Sequence, residues 1–80
     1  MSIDEPVEVA PGERATLRHL AAAGRVTIWH SLSYRSVGGD TREAWFADLE
    51  GDPTKGTWEI AQAEYDQLRA MGTAETPARR

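Results

Sequence analysis

The chain of 80 residues contains no cysteine, which excludes a disulfide framework and a thiolate metal site as supports for its core. Lysine is almost absent too, since Lys55 is the only one and the other eight basic residues are arginine. No apolar run approaches the ~20 residues that cross a bilayer. What is present, 40% hydrophobic and 28% charged residues, is typical of a folded globular domain rather than of a disordered chain.

A chain this short has a thin core, so an enclosed active site is hard to build within it. We predict one domain over residues 1–72 and a disordered tail over residues 73–80, where hydrophobic periodicity is absent. The first residues, Met1–Pro6, carry acids where a secretory signal has a basic patch and an apolar stretch. We therefore expect a soluble protein in the cytoplasm.

The N-terminal third of the chain predicts a short strand and a helix. Val7–Val9 alternates apolar and acidic residues and is followed by Pro-Gly, as an edge strand often is. Residues 13–23 place Leu17 and Leu20 at helical spacing, and Gly24 stands where a glycine commonly ends a helix.

The middle of the chain predicts a β-hairpin. Residues 25–37 alternate with period two, Gly38-Gly39 supplies a two-residue turn, and residues 41–49 return as a second strand. This loop length sets Ile28 opposite Leu49, whereas a one-residue slip would set Ile28 against an acid, so the apolar match selects the register. The same register places on that face the pairs His30 with Ala47 and Leu32 with Trp45.

The remaining elements complete the predicted fold. Residues 57–60 predict a third strand, and residues 61–71 predict a second helix that ends at Gly72, with Ala61 as a poor N-cap. The fold class is therefore α+β: a small antiparallel sheet of three or four strands with two helices, in the order (β)αβββα. If both helices pack on one side of the sheet, its other side stays available to a partner.

The hairpin face that points away from Ile28 carries the candidate partner-binding residues, which are Trp29, Arg35, Arg42, Phe46 and Asp48. Tryptophan and arginine dominate binding hot spots, and aromatic rings supply large contact areas. Two arrangements are open: one helix covers this face and buries both rings, or the face is an exposed recognition patch. In the predicted register Trp29 lies opposite Asp48, and Arg35 lies opposite Arg42, where like charges repel mildly.

The charge distribution suggests two further surfaces. Residues 14–42 would support nucleic-acid binding, with Trp29 as a stacking platform, through five arginines: Arg14, Arg18, Arg25, Arg35 and Arg42. Residues 43–68 carry seven acids against one lysine, and they either dock on a basic partner or only keep the protein soluble. An acidic chain without a recognised nucleic-acid motif favours a protein partner.

No motif predicts catalysis, a metal site or a cofactor. The acid spacing from Asp48 to Glu59 resembles a calcium loop, but Pro53 stands where that loop needs a glycine. His19 and His30 without a thiolate make a poor zinc set. We therefore expect a protein that is not an enzyme and that uses neither a metal nor a cofactor.

The segment Trp58–Leu68 reads as an aromatic-x-Ile strand followed by Glu-Tyr-Asp-x-Leu in a helix. It resembles the closing strand and helix of small phage and prophage proteins of the anti-defence, anti-CRISPR-like type, and the resemblance transfers no functional residue. It implies an inhibitor that binds a larger host complex, such as a nucleoprotein, without catalysis. The leading hypothesis is a non-enzymatic protein–protein interaction module that blocks its partner sterically, as a monomer or a homodimer.

Overall fold

The computed structural model describes residues 2–76. Along the chain the elements are β1 (Pro6–Ala10), β2 (Glu13–Thr16), α1 (Leu17–Ala22), β3 (Val26–Arg35), β4 (Thr41–Leu49), β5 (Thr57–Ile60), α2 (Gln62–Ala70) and β6 (Ala74–Glu75). The predicted α+β class is confirmed, with the β3–β4 hairpin at its centre. One sheet has the strand order β5-β4-β3-β6, and β1 pairs with β2 in a separate two-stranded sheet.

The N-terminal helix is shorter than the leucine spacing predicts. Instead of starting a helix, Glu13–Thr16 forms β2 and pairs antiparallel with β1. α1 begins after Thr16, whose side-chain oxygen accepts a hydrogen bond from the His19 N–H at 3.0 Å. The prediction was wrong at the helix start because ladder hydrogen bonds with β1 compete for the same backbone groups, and periodicity alone does not show that competition.

The hairpin register differs from the predicted one by two residues. Ile28 lies opposite Ala47, and Val26 takes the predicted place of Ile28 opposite Leu49. The connection is longer than two glycines, since residues 36–40 link the strands. It is closed by a hydrogen bond from the Ser36 N–H to the Asp40 carbonyl at 2.8 Å. Because the shift is even, side chains stay on their predicted faces up to the bulge described next.

A β-bulge in β3 changes the face of the residues beyond it. Ser31 lies opposite Ala44 and Tyr34 lies opposite Arg42, so β3 holds one residue more than β4 between these pairs. The extra residue turns Tyr34 to the face opposite the predicted one. It also leaves Leu32, which the predicted register placed inside, 56% exposed.

The third strand and the second helix are confirmed. β5 has the predicted bounds, and α2 lies within residues 61–71. Ala61 contributes no side-chain hydrogen bond to the start of α2, as its poor capping ability predicts. Gly72 adopts φ 88° just past the end of the helix, a conformation that costs glycine little.

The two faces of the sheet are covered differently. The inner face packs against both helices and the β1–β2 region, and the core between them consists of Ile3, Val7, Leu17, Leu20, Ala21, Val26, Ile28, Ala47, Leu49, Ile60, Tyr65 and Leu68. The outer face carries Thr27, Trp29, Ser31, Tyr34, Arg42, Ala44, Phe46, Asp48, Thr57 and Glu59. None of these outer residues belongs to that core, so the helix-covered arrangement of the predicted site is wrong.

The C-terminal segment contains a strand that the sequence did not predict. Ala74–Glu75 forms β6 and pairs in parallel with Thr27–Ile28 at the edge of the sheet. The hydroxyl of Tyr65 in α2 donates a hydrogen bond to the carboxylate of Glu75 in β6. The predicted tail is therefore wrong at β6, and residues 77–80 lie outside the described residues.

Candidate interaction surface

Two aromatic side chains meet at the centre of the outer face. Trp29 of β3 and Phe46 of β4 lie directly opposite each other, and their rings stack with centroids 4.3 Å apart and an interplanar angle of 17°. Phe46 is only 5% exposed, whereas Trp29 is half-buried. The tryptophan therefore covers the phenylalanine and keeps part of its own surface exposed.

Tyr34 joins these rings because of the bulge. Its ring centroid lies 5.0 Å from that of Phe46 with the planes tilted by 58°, and the guanidinium carbon of Arg42 lies 5.6 Å from the Tyr34 ring centroid. We call Trp29, Tyr34 and Phe46 the aromatic platform. Sequence reasoning missed Tyr34, since strict alternation assigns it to the inner face and no local signal marks the bulge.

An ion pair borders the platform on the side of β5. Arg42 donates two parallel hydrogen bonds to Glu59, with Nη1 2.5 Å from Oε2 and Nη2 2.9 Å from Oε1. The hydrogen bond to Arg42 lowers the pKa of the Glu59 carboxyl, and the same contact raises the pKa of Arg42. Both side chains are more than two-fifths exposed, so the pair adds little stability, but it fixes the guanidinium beside Tyr34.

Asp48 lies on the outer face but is only 1% exposed. Thr57 Oγ1 donates to Asp48 Oδ1 at 3.0 Å, while Oδ2 accepts no hydrogen bond from the described residues. The side chains of Asp48 and Phe46 are therefore not accessible to a partner in this conformation. Asp48 also sits within β4 rather than in a loop.

Arg35 lies away from the aromatic platform. The bulge places it opposite Thr41, on the face of β4 that also carries Trp45. The predicted juxtaposition of Arg35 with Arg42 is wrong, because Arg42 lies opposite Tyr34. Arg35 is exposed and forms no ion pair with another residue of the described chain.

Three of the five arginines proposed for nucleic-acid binding are held by acids. Arg18 Nε lies 2.7 Å from Asp4, Arg25 Nε lies 3.4 Å from Glu50, and Arg42 is held by its glutamate as described above. The hydrogen bond from Arg18 lowers the pKa of Asp4. Phosphate binding depends on concentrated basic charge, and here most of that charge is compensated locally.

The acids of residues 43–68 are also mostly engaged within the molecule. Asp48 is buried, and Glu64 accepts a hydrogen bond from the Ile3 N–H at 2.8 Å. Glu50 and Glu59 form ion pairs with lysine or arginine, and Glu43 lies beside the His30 imidazole. This engagement favours a structural role for the acidic stretch over a docking surface for a basic partner.

His30 lies on the inner face at the rim of the core. Its Nε2 is 2.7 Å from Glu43 Oε2, and its ring stacks on Trp45 with centroids 5.0 Å apart. Within residues 2–76, no group of three histidine, aspartate or glutamate side chains is placed to hold a metal ion.

No helix within residues 2–76 is both long enough and apolar enough to cross a membrane. Comparison of the chain with protein-family models gives no match, and neither curated proteins nor solved structures provide one. The resemblance of Trp58–Leu68 to small phage proteins therefore stays a prediction.

Proposed function

We propose that this protein is a non-enzymatic protein–protein interaction module whose outer face binds a folded partner protein. The observation that supports this function is the aromatic platform, in which Trp29 and Tyr34 remain partly exposed while Phe46 holds both rings in place. Rings that are already ordered lose little conformational entropy on binding, and tryptophan and tyrosine are enriched among binding hot spots.

The mechanism is steric. The platform forms the centre of the contact, and Arg42, held beside Tyr34 by Glu59, supplies hydrogen-bond donors at its rim. A partner that uses the surface covered by this face loses access to its other ligands. The narrower role, inhibition of a host effector complex, rests on the resemblance of Trp58–Leu68 alone.

The first experiment identifies the partner and separates protein from nucleic acid. The tagged protein is incubated with a bacterial lysate, one half of which has been treated with nuclease. A protein recovered from both halves is purified, and its affinity for the tagged protein is measured. Recovery that disappears with nuclease favours the nucleic-acid alternative and the arginines of residues 14–42.

Variants of the platform then test the surface itself. Trp29→Leu removes the indole but keeps an apolar cover over Phe46, and Tyr34→Ala removes the second exposed ring. Each should weaken binding of the purified partner about tenfold or more, with an unchanged circular-dichroism spectrum. Met71→Ala, a change at an exposed apolar residue of the C-cap of α2, is the matched control. Wild-type affinity in both platform variants would refute the proposal.

A further inference from the structure

The distal half of the hairpin extends beyond its neighbouring strands. β5 pairs only with residues 45–48 of β4, and β6 pairs only with residues 27–28 of β3. We call residues 32–43 the arm, and no third strand of the described chain pairs with it. A ten-residue strand such as β3 is ~33 Å long, close to the 34 Å longest dimension of the molecule. The arm therefore forms one end of the protein.

The arm carries most of the exposed large apolar side chains. Leu32 is 56% exposed and Val37 is fully exposed, and among residues 2–76 only Met71 joins them as an exposed large hydrophobic residue. A single exposed aliphatic residue needs no explanation. Here, however, two of them belong to one projecting hairpin end, and a partner that covered both would remove apolar area from water.

The charges of the arm balance one another. Arg35 and Asp40 are exposed, and neither forms an ion pair within the described residues. Of the other two charges of the arm, Arg42 is paired with Glu59, and Glu43 lies 2.7 Å from the His30 imidazole. We call the rest of the described chain the body. It carries eleven acids against five basic residues, so the body is acidic whereas the arm is neutral.

We propose that the arm binds the arm of a second copy of this chain in a two-fold symmetric dimer. In such an interface each contact occurs twice with the partners exchanged, so Arg35 of each copy faces Asp40 of the other. Leu32 and Val37 of both copies become buried between these two ion pairs. The charge pattern that flanks the apolar residues is thus complementary to itself.

The charge of the body explains why the occupant is a second copy. A basic protein would be attracted to the acidic body rather than to the neutral arm. A second copy is acidic itself, and its body is repelled by this body, so the arms are the parts that approach without repulsion. The bodies then lie at the two far ends of the dimer.

The size of the arm sets the expected affinity. A standard interface buries about 800 Å² on each partner, which is about one sixth of the 4878 Å² surface of this protein. A twelve-residue hairpin end falls at or below that size, so we expect a dimer with a Kd of about 1 μM or weaker. The arm also contains Tyr34 and Arg42 of the proposed partner-binding surface. None of the four contact residues belongs to the aromatic platform, so variants at these four positions test the dimer separately from the proposed function.

Sedimentation velocity of the purified protein from about 1 μM to about 1 mM tests the dimer. We expect the sedimentation coefficient to rise with concentration from that of a monomer to that of a dimer. Val37→Asp should raise the Kd about tenfold or more, whereas Met71→Asp, outside the arm, should leave it unchanged. A wild-type protein that stays monomeric at 1 mM overturns the proposal.

A charge exchange tests the specific contact. Arg35→Asp and Asp40→Arg each create two like-charge contacts in a dimer of identical copies, so each variant alone should be mainly monomeric at concentrations where the wild type is dimeric. In an equimolar mixture of the two variants, every contact again joins an acid to an arginine, and a heterodimer should form. Both positions are exposed, so circular dichroism should show an unchanged fold. Wild-type dimerisation of the single variants, or no heterodimer in the mixture, overturns the proposed contact.

Discussion

The inner and outer faces of one sheet reach similar burial in different ways. Ile28 on the inner face is fully buried beneath helices, and Phe46 on the outer face is 5% exposed beneath two aromatic side chains. On the outer face the rings of Trp29 and Tyr34 lie against Phe46, and both side chains remain partly exposed. A buried ring on this sheet therefore does not require a covering helix, and a surface for a partner can lie directly above it.

The largest expected effect tests this difference in cover. Leu68→Ala removes a fully buried side chain between α2 and the inner face, and it should lower the free energy of unfolding by about 2–5 kcal/mol in urea denaturation. Phe46→Ala should cost less, under about 3 kcal/mol, although phenylalanine is larger, because the space it leaves opens to water on the outer face. An equal or larger loss for Phe46→Ala would show that the outer face is enclosed as fully as the inner one.

The polar end of the outer face is the next test. Thr57→Val keeps a β-branched side chain in β5 but removes the hydroxyl that donates to the buried Asp48. The free energy of unfolding should fall by about 1–3 kcal/mol, since a buried carboxylate loses a hydrogen bond. Thr57→Ser retains the hydroxyl and is the control. Equal denaturation midpoints for wild type and Thr57→Val would contradict a stabilising role for this bond.

A smaller effect is expected where α2 holds β6. Tyr65→Phe removes the hydroxyl that donates to Glu75, and it should cost about 1 kcal/mol. The amide of Thr76, which donates to the Ile28 carbonyl at 2.8 Å, should then exchange faster with deuterium. Unchanged exchange at Thr76 would show that the strand pairing holds β6 without the tyrosine.

The same tyrosine predicts a pH dependence. Burial, and then the hydrogen bond to Glu75, raises the pKa of Tyr65 well above its usual value of about 10. Because the folded pKa is the higher one, the stability from the protonated hydroxyl is complete below about pH 10 and is lost as the pH rises towards the folded pKa. Absorbance of tyrosinate at alkaline pH, compared between wild type and Tyr65→Phe, should show no ionisation of Tyr65 near pH 10.

The smallest expected effect concerns the ion pair beside the platform. Arg42 lowers the pKa of Glu59, so the stability from this pair is present above the usual glutamate pKa of about 4.3 and is lost as the pH falls through the folded pKa. Arg42→Gln should return the Glu59 titration, followed by NMR, towards the usual value. Arg18→Gln is the control and should leave the Glu59 titration unaltered. If Arg42→Gln also left it unchanged, Arg42 would not bind Glu59 in solution.

Local signals predicted much of the fold. Period-two alternation placed Trp29 and Phe46 on one face and Ile28 on the other, because alternation along a strand does not depend on the strand's partner. The bounds of β5 and the end of α2 at Gly72 also follow from short-range preferences.

The site was predicted only in part. Trp29, Phe46, Arg42 and Asp48 do share the outer face, but two of them are buried, and the bulge exchanges Arg35 for its neighbour Tyr34. One inserted residue reverses every face beyond it, and nothing in the alternation from Leu32 onward indicates the insertion.

The sequence by itself determined the alternation of the strands up to the bulge, the presence of two helices and where charge is concentrated, because these properties depend on neighbours along the chain. The tertiary structure alone decided the pairing of β2 with β1, the two-residue change of register and the attachment of β6. Each of these features depends on a hydrogen-bonding partner supplied by another segment of the chain. Backbone hydrogen bonds between strands form equally well in several registers, and only side-chain packing selects one of them. The tertiary structure also decided the exposure of Trp29, Leu32 and Val37, because exposure depends on where the other elements pack.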